Sequence, residues 1–133
     1  MAGGIGSRFW PLSTSQCPKQ FIDITGSGRI MIQQTLDRFE GIIEIKNVWV
    51  VTSDRYKELV LEQLEGINPQ HILLEPCMRN TAPCIAYVSW KIQKEDSEAQ
   101  IVVAPSDHLV LDVDSFQKAI KQGLDFLSRT NGI

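Results

Sequence analysis

The spacing of apolar residues divides the chain into helical segments and short buried strands. Four segments repeat apolar residues every three or four positions, as the buried face of a helix does. They are residues 30–43, a segment that Ser53 or Asp54 begins and Gly66 ends, one that starts at residues 80–83, and one that Ser115 begins. Three continuous apolar runs, at residues 48–51, 72–74 and 101–104, predict strands that are buried on both faces of a sheet.

The alternation of strands and helices predicts a parallel sheet with right-handed crossovers and helices on both faces. This is an α/β fold of Rossmann-like type, a three-layer α/β/α sandwich with a mainly parallel sheet. Ligands bind such sheets at the carboxyl ends of the strands. The loops with candidate chemistry, residues 3–19, 75–81 and 105–108, all stand at such ends. We therefore expect the three loops to meet at one edge of the sheet.

Composition and charge exclude several classes of protein. The chain has 133 residues, enough for one domain with its own core, and a net charge of −3. Without clustered Lys and Arg it is not a general nucleic-acid binder, although two or three well-placed cations are enough for a nucleotide. No apolar run reaches the ~20 residues of a membrane helix, and no signal peptide is recognisable. We therefore expect a cytoplasmic protein with no membrane or nucleic-acid partner.

The cysteines and the chain ends add two expectations. Cys17, Cys77 and Cys84 match no zinc spacing, so we expect free thiols in a reducing compartment. The chain begins inside a glycine-rich loop and stops where a helix is expected to lead into another strand. We therefore expect residues 1–133 to be the nucleotide-binding part of one domain, truncated at both ends.

The opening loop combines glycines with positive side chains. Three of the residues 3–6 are glycines, which allow a tight turn whose N–H groups can converge on an anion. Arg8 and Lys19 add charges that suit phosphate. Phe9 stands where a dinucleotide-binding fingerprint needs its third glycine, and the Gly-Lys-Ser/Thr of a Walker loop does not occur. The residues alone leave both a simple turn and a phosphate-binding loop open.

The order of these residues resembles the signature loop of the sugar-1-phosphate nucleotidyltransferase family. The resemblance rests on Gly-Gly-Ile-Gly-Ser-Arg at 3–8, Pro-Leu-Ser at 11–13 and Pro-Lys at 18–19. In that family the loop wraps a nucleoside triphosphate, and the arginine and the lysine hold its phosphates. The resemblance implies that Lys19 binds the reacting phosphates. It also implies that the triphosphate is bound by Ala2, Gly3, Gly4, Gly6, Ser7 and Arg8.

A second candidate site follows the second predicted strand. Glu75 stands at the strand exit before a proline, where its carboxylate can accept hydrogen bonds from both N1–H and the N2 amino group of guanine. The residues alone leave open a solvated charge at Glu75 and a helix cap at Asn80 or Thr81. Glu-Pro followed by Arg-Asn-Thr-Ala-Pro resembles the block typical of mannose-1-phosphate guanylyltransferases within the family. This resemblance implies that Glu75 and Asn80 contact guanine or its ribose, with Arg79 and Thr81 in the same lining.

The turn Pro-Ser-Asp-His at 105–108 follows the third predicted strand. A carboxylate such as Asp107, if it faces phosphates, is a natural ligand for Mg²⁺. From the residues alone an ordinary turn stays open, and so does a capping, surface or supporting role for His108. The resemblance implies that Asp107 supplies one metal carboxylate and that the family's second one lies further along the chain.

The resemblance covers nearly the whole chain and implies a reaction. GTP and mannose 1-phosphate would give GDP-mannose and pyrophosphate, with Arg8 stabilising pyrophosphate, Lys19 bridging the α-phosphate and the sugar phosphate, and Asp107 holding Mg²⁺. The alternatives are uridylyl or thymidylyl transfer to another sugar 1-phosphate, and a non-catalytic module that binds nucleotide for regulation. We expect the 133 residues alone to be inactive. The sugar-binding residues, a following sugar-isomerase domain and a homo-oligomeric state all stay open.

Overall fold

The computed structural model describes residues 9–75 and 80–130. Its α-helices are α1 (Met31–Asp37), α2 (Lys57–Gln63), α3 (Thr81–Glu95) and α4 (Val113–Arg129), and its strands are β1 (Val50–Thr52) and β2 (Ile72–Leu74). Single 3₁₀ turns occur at Lys19–Phe21, Ile45–Asn47, Asp54–Tyr56 and Pro69–His71. Among the helices of these ranges, none is both long enough and apolar enough to cross a membrane.

The two described strands pair in parallel. Val50 lies opposite Ile72, and Thr52 lies opposite Leu74. Parallel neighbours cannot be joined by a tight turn, and here α2 lies on the connection between the strands. The N–H of Glu75 donates to the carbonyl of Thr52 at 2.8 Å, so the hydrogen bonding continues one residue past the end of β2.

The core lies on both faces of this sheet, because successive side chains of a strand point to opposite sides. One face is covered by α1 and α2, and the other by α3. The first cluster contains Phe21, Ile32, Val50, Tyr56, Val60, Leu64, Ile67 and Ile72, and the second contains Val51, Leu73, Cys84 and Val88. The predicted helix–sheet–helix layering is confirmed, as is the predicted buried face of the second helical segment.

The third predicted strand, at residues 101–104, is wrong in the described part of the chain. These residues have no regular secondary structure. They line, together with Val50 and Val51 of β1, a cavity of about 560 Å³. A strand exists only where its N–H and C=O groups pair with those of a neighbour, and residues 101–104 form no such ladder with β1 or β2. The turn at 105–108, by contrast, forms where it was predicted.

Two helix boundaries differ from the sequence pattern. α1 ends at Asp37 instead of residue 43, and the chain continues as hydrogen-bonded turns to Gly41, whose φ is +73°. Glycine adopts that φ without the steric penalty that other residues have, so Gly41 lets the chain leave the helical path there. The apolar spacing therefore continues to residue 43, although the helix does not. α4 is capped by Asp112, whose carboxylate accepts from the N–H of Ser115 at 2.9 Å, so the predicted cap at Ser115 is wrong. The side chain of Ser53 makes no capping bond.

Candidate functional site

The side chains of Lys19 and Asp107 form an ion pair across 88 positions of sequence. The Nζ of Lys19 donates to Oδ2 of Asp107 at 3.2 Å. Lys19 begins a 3₁₀ turn directly after the buried Pro18, and its side chain is 18% exposed, against 43% for Asp107. The prediction that the end of the first loop and the turn at 105–108 lie together is therefore confirmed.

The ring of Phe9 forms a second contact of the Lys19 ammonium group. Nζ lies 4.6 Å from the ring centroid, which is within the range of a cation–π interaction. Phe9 follows Arg8 directly, so the described end of the glycine-rich loop reaches the ion pair. Sequence reasoning used Phe9 only to exclude a dinucleotide fingerprint and missed this contact. An aromatic residue beside a cationic loop was the available signal.

Arg38 holds the turn that carries Asp107. The sequence analysis did not identify this role of Arg38. The guanidinium of Arg38 donates to the carbonyl oxygens of Pro105 and His108 at 3.1 and 3.0 Å. Arg38 follows α1 among apolar neighbours, where an arginine in the sequence gives no sign that it is buried. The backbone of His108 is thus part of the support, whatever its side chain does.

Glu75 lies at the exit of β2, as predicted, and is partly buried. Its carboxylate lies beside the thiol of Cys84, in the first turn of α3. Burial, and after it the charge of Glu75 and a hydrogen bond to it, raise the pKa of Cys84 to about 11. The thiol is protonated at neutral pH, as it would be at its ordinary pKa of 9.0, and as a protonated group it can donate to the carboxylate.

Asn80 and Thr81 lie at the start of α3, and both are exposed. Asn80 occupies the N-cap position with φ +67° and makes no side-chain capping bond, so its side chain does not serve as the helix cap. A non-glycine residue at positive φ is uncommon outside sites that constrain it. The structure shows no hydrogen bond or ion pair, within residues 9–75 and 80–130, between this segment and the Lys19–Asp107 pair.

The remaining predicted residues lie outside the described ranges. The glycine-rich loop residues fall before residue 9, and Arg79 falls within 76–79. The loop residues in question are Ala2, Gly3, Gly4, Gly6, Ser7 and Arg8.

Among the described residues, Asp107 is a candidate for one of the several ligands that Mg²⁺ needs. No three His, Cys, Asp or Glu side chains in residues 9–75 and 80–130 gather as a metal site. Asp107 is accessible, and Mg²⁺ commonly takes one or two carboxylates and fills its other positions with phosphate oxygens and water. The arrangement thus suits a metal that arrives with a phosphate ligand.

Comparison with known proteins decides the family. The sequence profile described as nucleotidyl transferase matches residues 1–125 of this chain. The chain belongs to the nucleotidyl transferase family. Among the relatives of this chain is the alginate biosynthesis protein AlgA of Pseudomonas syringae pv. tomato, which is 42% identical over 124 residues. That match covers 90% of this chain and 25% of the relative.

Two further nucleotidyl transferase relatives have names that state a reaction. The mannose-1-phosphate guanylyltransferase of Escherichia coli K12 is 36% identical, over 95% of this chain and 27% of its own length. A putative mannose-1-phosphate guanylyltransferase of Vibrio cholerae is 38% identical, over 92% of this chain and 26% of its own length. The chain therefore spans about a quarter of the length of the curated relatives it matches.

One solved structure has the same fold as this chain. It is described as mannose-1-phosphate geranyltransferase from Thermus thermophilus, and it superposes with a TM-score of 0.81 at 27% sequence identity. The match covers 92% of this chain and 35% of that one. The α/β fold predicted from the pattern of apolar residues is confirmed by this likeness.

Proposed function

We propose that the complete protein, meaning the natural chain that contains this sequence, transfers the guanylyl group of GTP to mannose 1-phosphate. A phosphate oxygen of the sugar phosphate attacks the α-phosphorus of GTP, and the bond from that phosphorus to the β-phosphate oxygen breaks. GDP-mannose forms and pyrophosphate leaves from the opposite side. The names of the relatives point to this substrate pair.

The observation that carries the proposal is the pairing of Lys19 with Asp107. It brings a cation that suits phosphate and a carboxylate that suits Mg²⁺ to within 3.2 Å of each other. Phosphoryl-group chemistry depends on positioning and charge neutralisation more than on acid–base groups. A lysine and an aspartate in contact supply both kinds of charge at one place.

Each group has a distinct role in this proposal. Lys19 holds the α-phosphate and the incoming sugar phosphate, and Arg8 holds the departing pyrophosphate. Asp107 holds Mg²⁺, which when bound supplies charge neutralisation among the phosphate oxygens. Glu75, together with Asn80 and Thr81, receives the guanosine end of the nucleotide.

In this proposal Glu75 recognises the guanine base by accepting its hydrogen bonds. Its carboxylate lies at a strand exit, and its charge is near enough to the Cys84 thiol to contribute to the raised pKa of that thiol. Guanine offers two adjacent donors, whereas adenine and the pyrimidines do not. A buried acceptor left without a donor costs about 1–3 kcal/mol, so the wrong bases are penalised.

The test is pyrophosphate release by the complete protein with Mg²⁺, a panel of nucleoside triphosphates, and mannose or glucose 1-phosphate. We expect GTP with mannose 1-phosphate to be the preferred pair. Glu75→Gln should narrow the preference for GTP over ITP, which lacks the N2 amino group, by about fivefold or more.

The matched control is Glu58→Gln, a substitution at an exposed position of α2 that should keep the wild-type preference. A wild-type preference for UTP or dTTP would contradict the proposed substrate. An unchanged GTP-to-ITP ratio in Glu75→Gln would remove Glu75 from base recognition and leave the reaction itself standing.

A further inference from the structure

Arg38 is a buried charged residue beside the candidate site. It is 5% exposed, and burial lowers the pKa of its guanidinium. An arginine nevertheless stays charged inside a protein, so its burial has to be offset by hydrogen bonds. Its place just after the last residue of α1 helps, because a cation is favourable at a helix carboxyl end.

The partners of Arg38 show where its hydrogen bonds go. Nη1 donates to the carbonyl of His108 at 3.0 Å, and Nη2 donates to the carbonyl of Pro105 and to Oγ1 of Thr35, each at 3.1 Å. The two carbonyls belong to the first and last residues of the turn 105–108. The guanidinium therefore holds both ends of the turn whose third residue is Asp107.

Arg38 is itself fixed from the other side by α4. Phe116 lies against the guanidinium, with its ring centroid 5.4 Å from Cζ. Gln117 donates from Nε2 to the carbonyl of Arg38 at 3.2 Å and to the carbonyl of Glu40 at 3.1 Å. The backbone carbonyl of Arg38 and both of its Nη atoms are thus hydrogen-bonded, while its Nε is buried without a partner in the described structure.

A lysine cannot replace this group. The fork of arginine presents two nitrogen atoms at a fixed separation and can hold two carbonyls at once, whereas lysine has a single nitrogen on a flexible stem. The hydrogen bonds that Nη1 and Nη2 of Arg38 donate all go to neutral oxygens, two of which belong to the turn.

We propose that Arg38 is a positioning residue that fixes the 105–108 turn, and with it the carboxylate of Asp107, for the metal-bound nucleotide. The inference rests on the proposed role of Asp107. Arg38 touches neither substrate nor metal in this account. Its effect passes through the two carbonyls that it holds.

The test compares Arg38→Lys with wild type in the complete protein. The supporting groups of a metal ligand typically affect metal affinity by 10–100-fold, so the Mg²⁺ concentration for half-maximal activity should rise about tenfold. Amide exchange at residues 106–109 should become roughly tenfold faster, because the turn loses a charge-assisted hydrogen bond. Arg29→Lys, at an exposed arginine paired with Asp37, is the matched control and should change neither quantity.

The outcomes separate this inference from the proposed function. If Asp107→Asn raises the Mg²⁺ requirement and Arg38→Lys does not, the positioning role is overturned and the proposed reaction stands. If the wild-type protein shows no Mg²⁺-dependent transfer, the proposed function fails, and amide exchange alone decides whether Arg38 holds the turn.

A second variant is used if Arg38→Lys does not fold. Thr35→Val removes one acceptor of Nη2 at nearly constant volume. A rise of about threefold in the Mg²⁺ requirement supports the role, and a wild-type value contradicts it.

Discussion

At the scale of single residues, the surroundings of Lys19 combine a carboxylate and an aromatic face. Nζ lies 3.2 Å from Asp107 and 4.6 Å from the ring centroid of Phe9. A surface ion pair contributes little to stability, but this lysine is only 18% exposed, which reduces screening by water. The pair holds the lysine side chain in place before any ligand arrives.

We expect Lys19→Ala to raise the KM for GTP or lower the turnover of the complete protein by about tenfold or more, since it removes a charge-assisted phosphate contact. The measurement is steady-state pyrophosphate release. Lys46→Ala is the control, because Lys46 is exposed and pairs only with the exposed Glu44 in the described structure. Wild-type kinetics in Lys19→Ala would show that the phosphates bind elsewhere.

Cys84 gives a prediction at alkaline pH. Its pKa rises from 9.0 to about 11 in the folded chain, so the folded state binds the thiol proton more tightly than the unfolded state does. The stability that this proton contributes is present below pH 9 and is lost as the pH rises toward 11. We therefore expect the difference in melting temperature between wild type and Cys84→Ala to be constant from pH 7 to 8.5 and to shrink between pH 9 and 11.

The same measurement identifies the cause of the shift. The double variant Glu75→Gln, Cys84→Ala, compared with Glu75→Gln alone, should show a shallower loss over that range, because the neighbouring negative charge is gone. A parallel fall in all four proteins would mean that another group dominates the alkaline transition.

At the scale of secondary-structure elements, α4 depends on its first turn. The helix has no fully buried residue, and its apolar stripe is only partly covered, so tertiary packing supports it less than it supports α3. Asp112 satisfies one of the free N–H groups at the start of the helix. A cap carries more weight in a helix of this kind than in a buried one.

We expect Asp112→Ala to lower the melting temperature at pH 7. The backbone N–H of Ser115 donates to Asp112 and, with its side chain, lowers the pKa of this carboxyl below 3.8. The stabilisation is therefore present above the unfolded pKa and is lost as the pH falls through the lower, folded pKa. The two proteins should melt alike in strong acid. Asp114→Ala, in the same turn but without the cap bond, is the control.

Elements whose apolar residues pack into the core could be predicted from the sequence. Boundaries that depend on contacts with distant residues could not. β2, the start of α3 and the buried residues Tyr56, Val60 and Leu64 were predicted correctly, because their local patterns and their packing agree. The end of α1 was not predicted: the chain turns toward Gly41, whose φ is +73°, and the carbonyl of Arg38 accepts from Gln117, 79 residues away. The predicted strand at 101–104 failed because an apolar run by itself guarantees neither burial nor a ladder partner, and Val103 is 41% exposed.

The same distinction applies to the candidate site. The positions of Lys19, Asp107 and Glu75 could be predicted as candidates because charged residues in loops beside apolar runs are visible in sequence, although only Glu75 follows a strand in the structure. Arg38 and the Phe9 ring could not, since their importance comes from which groups they face in space. Local sequence identifies the groups that carry the chemistry better than the groups that support them.

At the scale of the whole molecule, the sheet is a thin layer between two clusters of apolar residues. The chain spans about a quarter of the length of its curated relatives, so the proposed activity is assayed with the complete protein.

We expect the isolated 133-residue chain to release no pyrophosphate from GTP and mannose 1-phosphate, with the complete protein assayed in parallel as the reference. Residues 9–75 and 80–130 contain no cluster of three metal-binding side chains, and positioning two substrates requires contacts on more than one side. Turnover of the isolated chain near that of the complete protein would place the sugar site and all metal ligands within these residues.

The ion pair between Lys19 and Asp107 affects which form of the ligand binds most favourably at the candidate site. Free Mg²⁺ meets a carboxylate that a lysine already neutralises, and a free triphosphate meets a lysine that a carboxylate already neutralises. Either one alone has to separate two opposite charges that lie 3.2 Å apart, at a cost that grows as water is excluded. Under the proposed roles, Lys19 would contact the phosphates and Asp107 the metal of a triphosphate that carries its own metal, so that both charges would keep an opposite partner. The protein is therefore expected to bind the complex of Mg²⁺ and triphosphate in preference to free Mg²⁺ or free triphosphate.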